Sequence, residues 1–334
     1  MWIMEQSKLT IRLASSVDAE KICLLFKRVA PEYKRGINFW IWINRMLSEE
    51  DSIIAVAEYE GEIIGHYAII PHEISISGAE YNTGLGIHAI IQEDKNDLVS
   101  IYEISNLAYG EAKRIGLKFL YGFPNKNYRL IQEKIEKWEI INLFRSYETN
   151  ISNYKFNYEL NSFSVKELNN NFKSFFELSK VLDNYISNTS VRFKKSLNYY
   201  INRYLNHPYR LYNSYMVCDI FGNKACLFLK KYQDTNTGIK KGHLLDFIKE
   251  EEFDMKALLD IAVLILKERK ISMISFWPIN KRVKEIFNLA QVKPSGFETF
   301  LGVKFLNKEF EKNHKEELLN IENWTLNMGD SDAF

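Results

Sequence analysis

The chain has 334 residues, more than the usual size of one domain, which favours two domains. Hydrophobic residues make up 46% of it, and 44 basic residues nearly balance 43 acidic ones. A net charge of +1 gives no electrostatic reason to expect a nucleic-acid or membrane partner, although it is compatible with a local basic patch.

The cysteines and the N-terminus indicate the compartment. Cys23, Cys218 and Cys226 have no metal-binding spacing, and a sparse, odd set favours a reducing environment. The first residues lack the basic and apolar regions of a secretory signal. The longest apolar stretch, around residues 261–266, is far shorter than the ~20 residues that span a bilayer. We therefore expect a cytoplasmic protein.

Hydrophobic periodicity predicts the elements of the first half. The alternation Leu9-Thr10-Ile11-Arg12-Leu13 is typical of a strand, and the serines before Asp18 offer N-caps for a helix that ends at Val29. Glu60-Gly61-Glu62 is typical of a hairpin turn. Further strands are predicted at 52–58, 63–76, 81–91, 117–123 and 138–147, and further helices at 39–47, 101–115 and 125–137.

The second half has a similar succession of elements. Strands are predicted at 214–220, 225–232, 241–248, 271–277 and 299–305, and helices at 172–182, 191–205, 255–269 and 281–291. Ser190 is a possible N-cap of the second of these helices. The charged, polar tail from Asn307 is expected to be loosely packed.

Local strings also recur between the halves. Asn44 and Asn202, Gly61 and Gly222, and Pro124 and Pro278 mark similar strings that lie about 158, 161 and 154 residues apart. A nearly constant offset is the signature of a repeated unit, although short aromatic strings can also coincide by chance. The sequence thus predicts an α/β fold of two tandem domains, residues 1–150 and 151–334.

Three strings carry a resemblance to a known superfamily. The string from Glu60 to Ala68 resembles the β2–β3 hairpin of the GNAT superfamily of acyl-CoA-dependent N-acyltransferases, and the element order is similar as well. Tyr121-Gly122-Phe123-Pro124-Asn125 with Trp138, and Arg203-Tyr204 followed by His207-Pro208, resemble a tandem-GNAT subgroup of bacterial polysaccharide and nucleotide amino-sugar biosynthesis. The resemblance implies a mixed sheet in each of two GNAT-like domains. The first would bind acyl-CoA, and the second would be a degenerate copy.

The phosphate loop departs from the superfamily pattern. GNAT enzymes hold the CoA pyrophosphate with a glycine-containing loop before a helix, where backbone N–H groups can approach the phosphates. The matching residues are Asn96, Asp97, Leu98, Val99 and Ser100, with Asp97 and Val99 in the glycine positions. Asp97 is expected to cap the helix. The acidic residues 249–252 stand there in the second copy, so it would bind no CoA, and the first would use a non-standard loop or bind none.

GNAT chemistry is direct attack of an amine on a thioester, and the resemblance implies roles for four positions. His88, late in the fourth strand, would be the base, or else a structural histidine. The N–H of Ile90 or Ile91 would stabilise the oxyanion. Asn125 would contact the pantetheine arm or cap a helix, and Tyr128 would be the acid that protonates the thiolate.

Candidate acceptor contacts are less specific. Trp40, with Phe39 and Trp42, would stack on a ring or form part of the core, and the second interpretation is favoured. His66 would face the cleft or pack within the hairpin. Arg203 and Arg210 would pair with a diphosphate, although Arg203 also echoes Arg45 and could be structural. Asp246 and His243 would touch the acceptor or lie on a solvated face, and the solvated face is favoured.

These observations lead to one main hypothesis and two alternatives. The chain would transfer an acyl group from acyl-CoA, as co-substrate, to the amino group of a nucleotide-linked amino sugar. No tightly bound cofactor, metal, nucleic acid or membrane is expected. The second domain would form one wall of the substrate cleft. The alternatives are an aminoacyl-tRNA-dependent tandem-GNAT transferase and a non-catalytic GNAT-like binding module. The acyl group and the oligomeric state stay open.

Overall fold

The computed structural model describes residues 9–30, 36–47, 51–95, 99–185, 189–209, 212–234, 237–277, 285–286 and 293–331. Contacts divide the chain into two compact units. The first unit comprises Met1–Asn142 and Phe300–Ile321, and the second comprises Leu143–Thr299 and Glu322–Phe334.

The elements follow in chain order. The strands are β1 Leu9–Leu13, β2 Ile53–Tyr59, β3 Glu62–Ile76, β4 Ala79–Ile91, β5 Phe119–Gly122, β6 Glu139–Asn150, β7 Ser164–Leu168, β8 Val191–Phe193, β9 Tyr212–Cys218, β10 Lys224–Gln233, β11 Lys240–Lys249, β12 Met273–Phe276, β13 Lys293–Phe305 and β14 Trp324–Thr325. The helices are α1 Ala19–Val29, α2 Ile37–Ile43, α3 Ile101–Arg114, α4 Lys126–Ile131, α5 Phe172–Asp183, α6 Leu197–Tyr200, α7 Met255–Glu268 and α8 Lys308–Leu319.

The sheet of the first unit is mixed. Strands β1 to β4 are antiparallel neighbours, β5 runs parallel to β4, and the end of β13 pairs antiparallel with β5. Two tight turns connect β2 to β3 and β3 to β4. Each contains two residues of positive φ, Glu60-Gly61 and Ser77-Gly78, a geometry that matches the right-handed twist of the flanking strands.

Helices α1 and α3 pack on opposite faces of this sheet. Helix α3 packs through Ile104 and Ala108 on the face that carries Ala57, and α1 packs through Leu25 beside Val56 on the other face. Because side chains alternate along a strand, adjacent residues of β2 pack against different helices. Helices therefore cover both faces of the sheet of the first unit.

The second unit repeats this layout. Its strands follow the order β6-β12-β11-β10-β9-β7, with β11 and β12 parallel and the other pairs antiparallel. Helix α7 packs its apolar residues against the β10 side chains Leu227 and Leu229. The predicted α/β fold with mixed sheets is confirmed. Among the described residues, no helix is both long and apolar enough to cross a bilayer.

One predicted helix is wrong. Residues 191–205 do not form a single helix, because β8 occupies Val191–Phe193 with alternating burial. Helix α6 starts later, and its N-cap is Ser196, whose Oγ accepts a hydrogen bond from the N–H of Tyr199 at 3.2 Å. Ser190 is therefore not a cap. The predicted helix at 281–291 and the Pro278 string lie almost wholly outside the described residues.

The prediction of a loosely packed tail is also wrong. Helix α8 buries Phe310 and Leu318 in the first unit, and Trp324 and Met328 are buried in the second. Few apolar residues occur in this segment, but these four are placed so that they reach a core. Composition alone therefore underestimates how well the segment packs.

Candidate functional site

Strands β4 and β5 separate in the middle of the first unit. They pair in parallel from Thr83 with Phe119 to Gly86 with Gly122. Strand β5 ends there, but β4 continues to Ile91. The last residues of β4 therefore border a gap on the side where β5 has ended, while β3 still pairs with their other edge.

A β-bulge at His88 redirects β4 at the start of this gap. The register changes from Ala68 opposite Ile87 to His66 opposite Ile90, so β4 contains one extra residue. His88 has a φ of 53°, in the left-handed region that histidine tolerates better than most side chains do. Bulges of this kind re-aim side chains and are frequent beside active sites.

One backbone N–H of the bulged strand points into the gap. Gln92 donates its N–H to the carbonyl oxygen of Ile64 on β3 at 2.8 Å. Because N–H groups alternate in direction along an antiparallel strand, the N–H of Ile90 points to β3 and that of Ile91 points away from it. Of the two donors predicted for an oxyanion, the geometry favours Ile91.

His66, on the neighbouring strand β3, stabilises the bulge. Its Nδ1 lies 3.0 Å from the carbonyl oxygen of His88. Burial lowers the pKa of His66 to about 4, so the ring is neutral at pH 7. Because a carbonyl oxygen only accepts, Nδ1 carries the proton. The side chain is fully buried against Phe26, which favours this structural role over the predicted contact with a substrate.

The ring of His88 lies on the α1 face of the sheet. It is half-buried and meets the ring of Phe26 edge-on, with 5.0 Å between the centroids. Ile90 packs on the same face, whereas Ala89 and Ile91 face α3. The predicted base is therefore at the bulge and beside the gap, on the face opposite α3.

A cavity of about 470 Å³ opens on the α3 face of the gap. Its walls come from the end of β4, the first turn of α3, and α4 with the π-helical turn Gln132–Glu136 that continues it. The walls include Ala89, Ile91, Val99, Ile101, Tyr128 and Ile131. The lining is mainly apolar, which is typical of a site that takes an extended organic chain.

Several predicted donor-site residues meet at this cavity. Ile91, Val99, Ser100 and Tyr128 all line it. Val99 is 3% exposed and also belongs to the core under α3. The predicted loop residues Asn96, Asp97 and Leu98 lie outside the described residues.

The first turn of α3 is closed by its own side chains. Ser100 donates its backbone N–H to Oε2 of Glu103 at 2.8 Å, and Glu103 donates its N–H to Oγ of Ser100 at 3.3 Å. This reciprocal pair is a capping box. Ser100, and not Asp97 as predicted, is the N-cap of the helix.

A buried carboxylate lies behind the cavity. Glu136 is 1% exposed and accepts hydrogen bonds from the hydroxyl groups of Ser105 at 2.7 Å, Tyr109 at 2.8 Å and Tyr128 at 3.0 Å. Trp138 donates its Nε1–H to the hydroxyl oxygen of Tyr109 at 3.1 Å. No sequence signal marked Glu136, which stands among exposed charged residues.

This network limits what Tyr128 can do as an acid. Burial, with the neighbouring Tyr67 and Glu136, raises the pKa of Tyr128 far above its usual value. Its proton is directed to Glu136 and not into the cavity. The predicted contact residue Asn125 caps α4, because its Oδ1 accepts from the N–H groups of Asn127 and Tyr128. Both geometries favour structural roles.

The aromatic cluster on α2 belongs mostly to the core. Phe39 and Trp42 are buried, with 5.2 Å between their ring centroids. Trp40 is half-buried and packs on the cluster around Ile22 and Leu25. Its Nε1 is buried without a hydrogen-bond partner among the described residues. This placement favours the core interpretation for Trp40.

The second unit has a buried charge cluster at the corresponding place. Strand β11 also carries a bulge, where Phe228 opposes Asp246 and the register then shifts. Asp246 and Asp330 each lie 2.8 Å from Nζ of Lys195, and both aspartates are buried. Burial lowers the pKa of Lys195, but the two aspartates outweigh it and hold that pKa well above its usual value.

His243 and Asp246 are therefore not on a solvated face. His243 is 8% exposed, stacks on Tyr232 with 4.3 Å between centroids, and bonds to the hydroxyl of Ser275. Burial lowers the pKa of His243 to about 3. The expectation of a solvated face was wrong, because these residues point into the second unit's core.

The predicted diphosphate contacts in the second unit do not form an open site. Arg203 is 1% exposed and donates to the hydroxyl of Tyr212 and to the carbonyl oxygens of Gly329 and Ser331. These contacts favour a structural role. Arg210 lies outside the described residues. The described residues also contain no group of three or more His, Cys, Asp or Glu side chains that could hold a metal.

Comparisons with known proteins agree on the fold. No protein-family model and no curated protein matches the sequence. A probable N-acyltransferase of unknown function from Enterococcus faecalis V583 matches 91% of this chain and 74% of its own, at 8% identity and a TM-score of 0.68. A GCN5-related N-acetyltransferase from Anabaena variabilis ATCC 29413 matches 90% and 73%, at 11% identity and a TM-score of 0.64.

A third solved structure also matches. Saccharomyces cerevisiae N-myristoyltransferase with bound myristoyl-CoA matches 91% of this chain and 80% of its own, at 8% identity and a TM-score of 0.62. At such identities the likeness concerns the fold. Strand order, the gap after Gly86 and these matches together show that the chain has the fold of the GCN5-related N-acyltransferases over most of its length.

Proposed function

We propose that the first unit is an acyl-CoA-dependent N-acyltransferase, with its donor site in the domain predicted at residues 1–150. One observation carries the proposal. The separation of β4 and β5 after Gly86 leaves a gap that adjoins an apolar cavity, and an amide-bearing thioester arm would fit there as an added strand. The fold matches support the reaction class.

The amine of the acceptor attacks the thioester carbonyl directly. The N–H of Ile91 stabilises the oxyanion, because a fixed backbone donor costs no reorganisation when charge develops. His88, on the α1 face, takes a proton from the ammonium group of the acceptor, which frees the nitrogen lone pair for the attack. A thiolate leaves with little help, since thiols ionise near pH ~8.5, so this scheme assigns no acid role to Tyr128.

The acceptor is proposed as the amino group of a nucleotide-linked amino sugar. Only the resemblance of the strings around Tyr121 and Arg203 supports this choice. Arg203 is directed to internal partners, so it contributes to folding of the second unit and not to binding of the diphosphate.

The experiment measures donor binding and turnover separately. Isothermal titration with acetyl-CoA and longer acyl-CoAs should show saturable binding, and release of free thiol should then depend on an added amine. His88→Asn should lower kcat by about 10²-fold or more, as loss of a general base does, and leave donor affinity unchanged. Asparagine tolerates positive φ, so the bulge is kept. His314→Asn is the matched control.

A non-catalytic binding module is the second candidate. The capping box at α3 favours it, because it fills the place where a pyrophosphate would bind. Saturable donor binding without thiol release across a panel of amines would support this candidate. Absence of binding for every acyl-CoA would refute the transferase.

A further inference from the structure

The N-terminus of α3 already holds a carboxylate. A helix N-terminus attracts anions through its free N–H groups and its dipole. Here Oε2 of Glu103 accepts from both the backbone N–H of Ser100 at 2.8 Å and its Oγ at 3.0 Å. A phosphate at this position would have to displace a negative charge that belongs to the helix.

The surrounding charges do not compensate for that carboxylate. Glu93 and Asp94 form the turn that follows β4, and Lys95 lies 3.8 Å from Asp94. The ammonium group of Lys95 also lies 5.7 Å from the ring centroid of Tyr59. Lys95 is therefore engaged on the β1–β2 side of the unit. Along the chain from β4 into α3, the described residues 92–95 and 99–103 contain three acidic side chains and one basic side chain.

The cavity beside this helix end has the opposite character. None of its lining residues is charged. Its mouth exposes apolar side chains as well, since Tyr102 is 39% and Ile135 is 52% exposed. Such a mouth suits the acyl chain and the methylene groups of the amide-bearing arm but offers no ion pair to a phosphate.

We propose that the donor is recognised through its pantetheine arm and acyl chain, and that the 3′-phospho-ADP half of CoA contributes little to binding. The inference rests on the proposed function. Its substrate class is wider than acyl-CoA, because S-acyl-pantetheine carries every group that the cavity would contact. Glu103 is the specificity-determining residue, since its carboxylate occupies the anion position on α3.

The first experiment compares two donors on the whole chain. Isothermal titration measures Kd for acetyl-CoA and for S-acetyl-pantetheine at fixed ionic strength. The two values should differ by less than about fivefold. A preference of fivefold or more for acetyl-CoA would overturn the inference and leave the proposed function intact. If neither thioester binds, both fail.

The second experiment changes the charge and keeps the cap. Glutamine also closes a capping box, so Glu103→Gln should fold normally. It should tighten acetyl-CoA binding by about two- to fivefold, the usual effect of one charge at a helix end, and leave S-acetyl-pantetheine unchanged. Glu111→Gln, near the other end of α3, is the matched control. Equal effects on both donors would overturn the role of Glu103.

Discussion

His66 donates its Nδ1 proton to the carbonyl oxygen of His88 across 3.0 Å, which ties a buried ring on β3 to the bulge of β4. His88 has a left-handed φ of 53°, which a protein keeps only where surrounding contacts hold it. His66 is thus a positioning residue for the backbone that borders the gap. Because the buried ring is neutral, its protonation at low pH is unfavourable, and the stability of this part of the fold therefore depends on pH.

The first prediction concerns that pH dependence. The pKa of His66 falls to about 4 in the folded chain, against about 6.5 when unfolded. The unfolded state binds more protons between these values, so stability is complete above pH 6.5 and declines as the pH falls towards 4. Between pH 7 and 5 the loss from this group should be about 2 kcal/mol.

The measurement is urea unfolding at both pH values. His66→Gln cannot take up this proton, so its loss of stability between pH 7 and 5 should be smaller than that of the unsubstituted chain. His72 and His243 are also buried with lowered pKa values and should keep part of the slope. Equal slopes in the two proteins would contradict the assignment.

The second prediction concerns the buried carboxylate of Glu136. Glu136→Gln replaces one acceptor oxygen by an NH₂ group that faces hydroxyl donors, so at least one charge-assisted hydrogen bond is lost. We expect a loss of about 2 kcal/mol, or about 4–8 °C in Tm. Glu133→Gln, whose carboxylate lies 3.6 Å from Arg129 at the surface, should change Tm by less than about 2 °C.

The third prediction tests the cavity as the donor site. Ala89→Leu places three more carbon atoms on the cavity wall and should weaken acyl-CoA binding by about tenfold or more, because the arm and the new side chain compete for one volume. Thermal unfolding should hardly change, since the cavity accepts the side chain. Ala79→Leu, exposed at the other end of β4, is the matched control. Unchanged affinity in Ala89→Leu would place the donor elsewhere.

The fourth prediction concerns the charge cluster of the second unit. Lys195→Met leaves Asp246 and Asp330 buried without their shared cation, which should destabilise the second unit by about 3–5 kcal/mol. Urea unfolding would show this as a lower midpoint. Adding Asp330→Asn should restore part of the loss, because one uncompensated charge is removed. A double variant no more stable than Lys195→Met would contradict the role of charge.

Local patterns in the sequence determined most of the strands and the long helices. Alternation marked β1, Gly61 marked a turn that needs positive φ, and the hydrophobic pattern predicted β2 to β4, α3 and α7. These features depend on neighbours within a few residues, so the printed sequence contains them. The capping box of Ser100 and Glu103 is a local sequence pattern of the same kind, and it, not Asp97, caps α3.

Tertiary structure alone decided which polar residues became buried. Glu136, Arg203 and Asp246 are each at most 1% exposed, and residues distant in the chain supply hydrogen-bond partners to all three. The segment 191–205 divides because β8 pairs with β14, more than 130 residues away. Burial is a property of the folded surroundings, so local periodicity cannot report it. For the candidate site, the sequence indicated that the last residues of β4 carry candidate functional groups. Only the fold placed His88 and the cavity on opposite faces of that strand.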